Sequence, residues 1–207
     1  IKTELAENLT LDVGFDSRFY KGLHYRNVRD LLGSDGYRDS RYNGTPNTNG
    51  VVAATEEYKW PISDVWNVFG DTDKEEKIDR NNNGVINYFG LYFQLEYLMD
   101  DVSIFVQGSG SNKGYQREEF YRYGPGDPLQ YSEKVNIAGG TIKAGANWNI
   151  DAQNNLFANA GFFSKQPNLN AVFQNYDQFP TTGDQLFNEK IVGLELGYGF
   201  RSKSFDF

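Results

Sequence analysis

Apolar and polar residues alternate one by one along most of this chain. In LTLDVGFDSRFY one side carries Leu9, Leu11, Val13 and Phe15, and the other carries Thr10, Asp12, Gly14, Asp16 and Arg18. FGLYFQLEYL sets Phe89, Leu91, Phe93, Leu95 and Tyr97 against Gly90, Tyr92, Gln94 and Glu96. The same period returns at Val102, Ile104 and Val106, and again at Ile142, Ala144, Ala146 and Trp148. It returns once more at Leu156, Ala158, Ala160 and Phe162, and at Val192, Leu194, Leu196, Tyr198 and Phe200. A period of two belongs to a strand with unlike faces, because successive side chains leave a pleated backbone on opposite sides. The chain is therefore expected to be all-β.

The spacing between these segments carries more information than the segments themselves. Short connections are expected at 6–8, 99–101, 151–154 and 201–204, and long ones at 21–83, 119–134 and 166–188. They alternate strictly. An up-and-down antiparallel sheet puts every second connection at the same end, so one end is tight and the other elaborate. Transmembrane β-barrels have that asymmetry, whereas a two-layer sandwich has no reason to keep it. Tyr97, Trp148 and Phe200 lie on the apolar side close to short turns, where an interfacial aromatic girdle belongs. The opening IKTEL reads as the tail of a strand and the closing FDF as the start of one. Six complete strands, two partial ones and a longer parent chain are expected, all the more because the chain starts at Ile1 and its one Met is Met99.

Composition sharpens the picture in three ways. Aromatic residues make up 16% of the chain beside 22 Gly, yet the mean hydropathy is −0.63. Barrel strands combine these features, since lipid-facing and water-facing residues cancel in the average. The net charge of −8 and pI near 4.7 argue against a nucleic-acid partner. Without cysteine there are no disulfides and no thiolate metal sites. No apolar run approaches the roughly 18 residues of a membrane helix.

Candidate chemistry is sparse. DTDKEEKIDRNNNGVIN places Asp79, Asn81 and Asn83 at alternate positions before Gly84, like the start of an EF-hand loop. The position that needs a bidentate Glu holds Gly90, and a strand pattern follows instead of a helix. The expectation is a polar turn feeding a strand, with Asp71, Asp73, Asp79, Asn81 and Asn83 as a weak calcium site; no other cofactor is implied. Tyr37, Tyr42, Trp60, Trp66, Tyr121, Tyr123 and Tyr176 fall in the long connections and suit a cargo that stacks and hydrogen-bonds. Asp12, Asp16, Arg18, Glu96, Lys143, Lys165 and Glu195 fall on the polar, inward side. ISDVWNVFG and RDLLG suggest short helical turns in the loops. The one His is His24, and no nucleophile–base pair or phosphate loop stands out, so no enzyme activity is expected.

Four stretches together resemble the barrel of TonB-dependent outer-membrane receptors. They are GFDSRFYKGLHYRNVRDLLG, GLYFQLEYLMDDVSIFVQGSGSNKGYQREEF, IKAGANWNIDAQNNLFANAGFFSKQP and NEKIVGLELGYGF. The resemblance implies that residues 1–207 are part of one barrel domain of 22 strands, lacking the plug and the TonB box. It implies the bacterial outer membrane and a role in uptake of a nutrient such as a glycan or siderophore. Partners would be outer-membrane lipid, the receptor's own plug and remaining strands, TonB through the missing N-terminal part, and a small-molecule or oligosaccharide cargo. The inward charges would then face the plug. A small complete outer-membrane barrel with a structural or adhesion role, and a soluble β-rich carbohydrate-binding module, are the alternatives.

Overall fold

A computed structural model describes residues 1–27, 32–34, 37–38, 51–52, 77–174, 179 and 186–202. The strands are β1 (Lys2–Ala6), β2 (Leu9–Asn27), β3 (Tyr37–Arg38), β4 (Val51–Val52), β5 (Lys77–Leu98), β6 (Val102–Glu119), β7 (Val135–Asn149), β8 (Asn154–Lys165) and β9 (Glu189–Phe200). Seven of them form one sheet in the order β1-β2-β5-β6-β7-β8-β9, and every pairing is antiparallel. The pair β3–β4 is separate. Apart from this pair, which lies within the longest connection, neighbours in the sheet are neighbours in the chain. Among the described residues β1 and β9 are not paired with each other, so the sheet is open.

The connections divide between the ends as the alternation predicts. Residues 7–8, 99–101 and 150–153 turn tightly at one end. Residues 28–76, 120–134 and 166–188 connect the strands at the other. The tight turns are held by hydrogen bonds within each turn and to the neighbouring strand. Asn8 takes a positive φ of 67°, and its carbonyl accepts from Leu98 N at 2.8 Å. Met99 N donates to Val102 O at 2.7 Å. The Asp151 carboxylate accepts from the backbone N–H of Gln153 and Asn154 at 2.7 and 2.9 Å. These bonds hold the carboxyl below its ordinary range, the one from Gln153 contributing most.

Strand length departs from the sequence expectation. β2 continues to Asn27 and β5 starts at Lys77, so the segment 79–84 is strand and not a polar turn. Asn and Gly are poor strand formers alone. Here the run is paired on both sides: Asn82 opposes His24 on β2 and Glu119 on β6. Ladder pairing overrides propensity, and the irregularity it leaves is a register shift between Tyr25 and Arg26. Of RDLLG, Leu32 and Gly33 lie in a turn with φ of 51° and 84°; its first three residues and all of ISDVWNVFG lie outside the described residues.

Register decides which residues share a face, because residues directly opposite on paired strands point the same way. Val13 opposes Phe93, Leu95 opposes Val106, Ile104 opposes Ala146, Ile142 opposes Phe162 and Ala160 opposes Leu194. The alternating apolar sets of six strands therefore merge into one continuous apolar face. It is open to its surroundings, with Phe15, Leu91 and Leu194 exposed to 62, 66 and 82%. The opposite face is polar and flattened by aromatic rings lying over glycines. Tyr92 covers Gly14, Phe105 covers Gly145 and Phe157 covers Gly197, each pair directly opposed across two strands. A Cβ on Gly14 would stand 2.2 Å from the Tyr92 ring, so the ring needs the glycine. This lets a ring fill the space a side chain would take and protects the ladder beneath it.

The apolar side chains buried among the described residues are Tyr115, Tyr121, Val172 and Phe173, all at the long-connection end. A one-turn helix, α1 (Leu169–Val172), starts at Asn168, whose side chain accepts from Ala171 N at 2.9 Å. The end of that turn packs on Tyr115, beside Ile86, Val135 and Ile137. These residues share the polar face, which turns apolar only here, where the connection between β8 and β9 folds over it. The sequence reading did not anticipate this small core.

Candidate functional site

Three rows of the sheet build a charged cluster just beyond that core, on the same face. Gly22, Gly84 and Arg117 are opposed across β2, β5 and β6. His24, Asn82 and Glu119 form the next row toward the long connections. Arg26 lies near the end of β2 opposite Ile78, and Arg80 lies in β5 at the register shift. Gly84 is needed for close packing: a Cβ there would stand 2.3 Å from Leu169 Cδ2 of α1. Without a side chain at this point, the helix seats directly on the strand beside Arg117.

Glu119 organises the cluster. Its Oε2 accepts from Arg117 Nη2 at 3.1 Å, and its Oε1 accepts from Tyr121 N at 3.0 Å. Both side chains of this pair are almost fully buried. Ser132 ties the connection 120–134 back to β6: its Oγ accepts from Arg117 N at 2.8 Å and donates to Glu133 O at 2.9 Å. Asp127 caps a 3-10 turn, Pro128–Gln130, and Gln130 Nε2 donates to Tyr123 O at 3.0 Å. The connection is thus laced down over the end of β6. Between it and the strands lies a cavity of about 170 Å³ whose lining includes Arg26, Arg80, Arg117, Arg122 and Glu119.

The electrostatics follow from placing four arginines and one glutamate in the lining of one cavity. Burial lowers the pKa of Arg117, the Glu119 hydrogen bond opposes this, and Arg122 and Arg80 add repulsion. Partial burial also lowers the pKa of His24, with Arg80 and Arg117 pushing the same way, which favours the neutral imidazole. Both groups lie beyond the apolar band of the opposite face. On that opposite face, at the same height, Lys21 Nζ meets Glu118 Oε2 at 2.7 Å, and Asn83 Nδ2 donates to the same oxygen at 2.7 Å. Polar bonding thus takes over on both faces where the apolar band ends.

The expected site residues meet mixed outcomes. Tyr121 is buried in the cavity wall, and Tyr123 is half-buried in the connection 120–134. Tyr37 belongs to β3, and Tyr42, Trp60, Trp66 and Tyr176 lie outside the described residues. Asp79, Asn81 and Asn83 stand in β5, which corrects the expected polar turn at that run. Asp71 and Asp73 are outside the described residues, among which no group of three or more His, Cys, Asp or Glu is placed to hold a metal.

Asp12, Asp16, Arg18, Glu96, Lys143 and Glu195 all share the polar face, as alternation predicted. Arg18 Nη2 meets Asp16 Oδ2 at 2.7 Å, Glu195 Oε2 accepts from Asn159 Nδ2 at 3.0 Å, and Lys143 stands over the Phe105 ring. Lys165 pairs with Glu189 at 3.3 Å. The arginine cluster was missed in the sequence. The R-x-E spacing of Arg117 and Glu119 does put both on one side of a strand, but Arg26 and Arg80 join them only through register. No protein-family model, curated protein or solved structure matches this chain.

Proposed function

We propose that this chain is a wall segment of an outer-membrane β-barrel, part of a TonB-dependent receptor that takes up a nutrient. The observation that carries the reading is the continuous exposed apolar face. Six strands contribute to it, and among the described residues no second layer covers it. A face of this extent marks contact with a membrane or a partner. Its height suits a bilayer. Phe89 to Tyr97 covers about 27 Å of strand at ~3.4 Å per residue, or about 21 Å when tilted by ~40°, close to the ~25 Å apolar band of such barrels.

The rims support the same reading. Tyr97, Trp148, Tyr198 and Phe200 ring the apolar face at the tight-turn end, and the Tyr198 hydroxyl bonds Asn154. Interfacial aromatics bury a ring in acyl chains and keep a polar tip in water. At the other rim the face turns polar at Asn112, Asn136 and Glu118. The open edges of β1 and β9 are the places where further barrel strands would pair, since unpaired edges are not tolerated in lipid. The long connections then face outward, toward cargo.

The test is refolding of the chain with and without lipid. In liposomes, added protease should cut the long connections and spare the tight turns, and without lipid or detergent the chain should aggregate. A monomeric chain that unfolds cooperatively in plain buffer would sink the proposal and favour the soluble module.

A further inference from the structure

We infer that the arginine-lined cavity between β2, β5, β6 and the connection 120–134 binds an anionic group of the cargo: a carboxylate, sulfate or phosphate. This deepens the receptor reading and rests on it only for which side the cargo comes from.

Four arginines line one cavity of about 170 Å³, with Glu119 the one carboxylate among its described lining residues. That volume suits an anion with a few waters rather than a whole sugar chain. The inference does not require idle arginines. Each guanidinium has five N–H donors in a fixed fork, so it can keep a structural bond and still present a donor pair to an oxyanion. Arg117 keeps such a structural bond: its Nη2 donates to Glu119 at 3.1 Å, which fixes the side chain, while Glu119 is itself held by Tyr121 N. The two inner arginines, Arg80 and Arg117, are set by the sheet, whereas Arg26 and Arg122 sit at the exposed rim. Inner groups thus set the potential and rim groups meet the ligand. The depressed pKa of neighbouring His24, to which both inner arginines contribute, agrees with a positive field there. The site lies beyond the apolar band, on the face opposite it, where a water-borne anion can reach it.

The experiment uses the 207-residue chain refolded in detergent micelles at low ionic strength. Inorganic sulfate, inorganic phosphate, an acidic oligosaccharide and its neutral counterpart are titrated by calorimetry against the native chain, Arg26→Gln/Arg122→Gln and the off-site control Arg18→Gln. The expected result is binding of the anions but not of the neutral sugar, weakened about tenfold or more in the double variant and unchanged in the control. Tighter binding of the acidic sugar than of free sulfate or phosphate would identify the anion as part of a cargo molecule; the reverse order would identify a free-ion site. A second measurement needs no variant: sulfate should shield Arg26 and Arg122, but not Arg18, from phenylglyoxal modification. Equal anion affinity in the native chain and the double variant, or no shielding at millimolar sulfate, overturns the inference. Membrane insertion is scored separately by protease accessibility, so failure of the anion site and failure of the receptor reading are told apart.

Discussion

Strands β5 and β6 run through two regions held together by different physics. From Phe89 to Tyr97 on β5, paired with Ile104 to Asn112 on β6, the sheet is one layer: an exposed apolar face backed by a polar one. From Asn82 to Ile86, paired with Tyr115 to Glu119, it is two layers, with α1 and the connection 120–134 folded onto its polar side. Ladder hydrogen bonds are common to both. The upper region adds its own core and a buried ion pair, and so holds its shape in water. The lower region leaves its apolar surface uncovered among the described residues. One strand can serve both because its faces are independent: what covers one side places no demand on the other.

Breaking the upper region should cost most. Glu119→Ala removes the partner of buried Arg117 and the acceptor of Tyr121 N. Orphaning one member of a buried pair costs about 3–5 kcal/mol. Hydrogen exchange in 117–133 should accelerate strongly, while amides of the lower β7–β8 ladder keep their protection. Acceleration spread evenly over the sheet would mean the two regions are not separate.

Leu194→Arg tests the lower region. In water, an arginine at so exposed a position would be harmless. At a bilayer midplane it costs about 2–4 kcal/mol, whereas Glu195→Arg on the opposite face should cost little. Urea titration in liposomes and in detergent-free buffer measures both, and equal stability of the two variants in lipid removes the membrane from the account.

Gly14→Ala probes the ring-on-glycine pairs of the polar face. The new methyl meets the Tyr92 ring, which must swing off the ladder. Overpacking of this kind costs about 1–3 kcal/mol, and Tyr92→Ala in the same chain should relieve most of the clash. Independent, additive effects would show that the ring does not rest on that glycine.

The smallest effect concerns the tight turn 150–153. The folded-state pKa of Asp151 is depressed, so its contribution is complete above the ordinary carboxylate pKa of about 3.9 and fades as pH falls through the lower folded value. Protection of the Asn154 amide should drop in that acid window and be insensitive to pH in Asp151→Ala.

How much of this was legible from the residues alone varies by region. The three described tight turns fell at or within a residue of the expected positions, because a turn is written in local residues such as MDD and DAQN. The polar face was legible for the same reason: Asp12, Glu96, Lys143 and Glu195 each occupy the right phase of their own strand. The far ends of β2 and β5 were not. His24 and the NNNG run look like loop in isolation and are strand only because each supplies a ladder for the other.

Alternation by itself determined that the chain is all-β, which residues share a side within each strand, and which connections are short. Period-two patterning and turn chemistry act over a few residues, and a linear string records them in full. Tertiary structure alone decided that the six apolar sides merge into one face, that α1 covers the polar side at one end, and that Arg26, Arg80 and Arg117 line one cavity with Glu119. Those groups are brought together by cross-strand register, a relation between residues dozens of positions apart that no local pattern encodes.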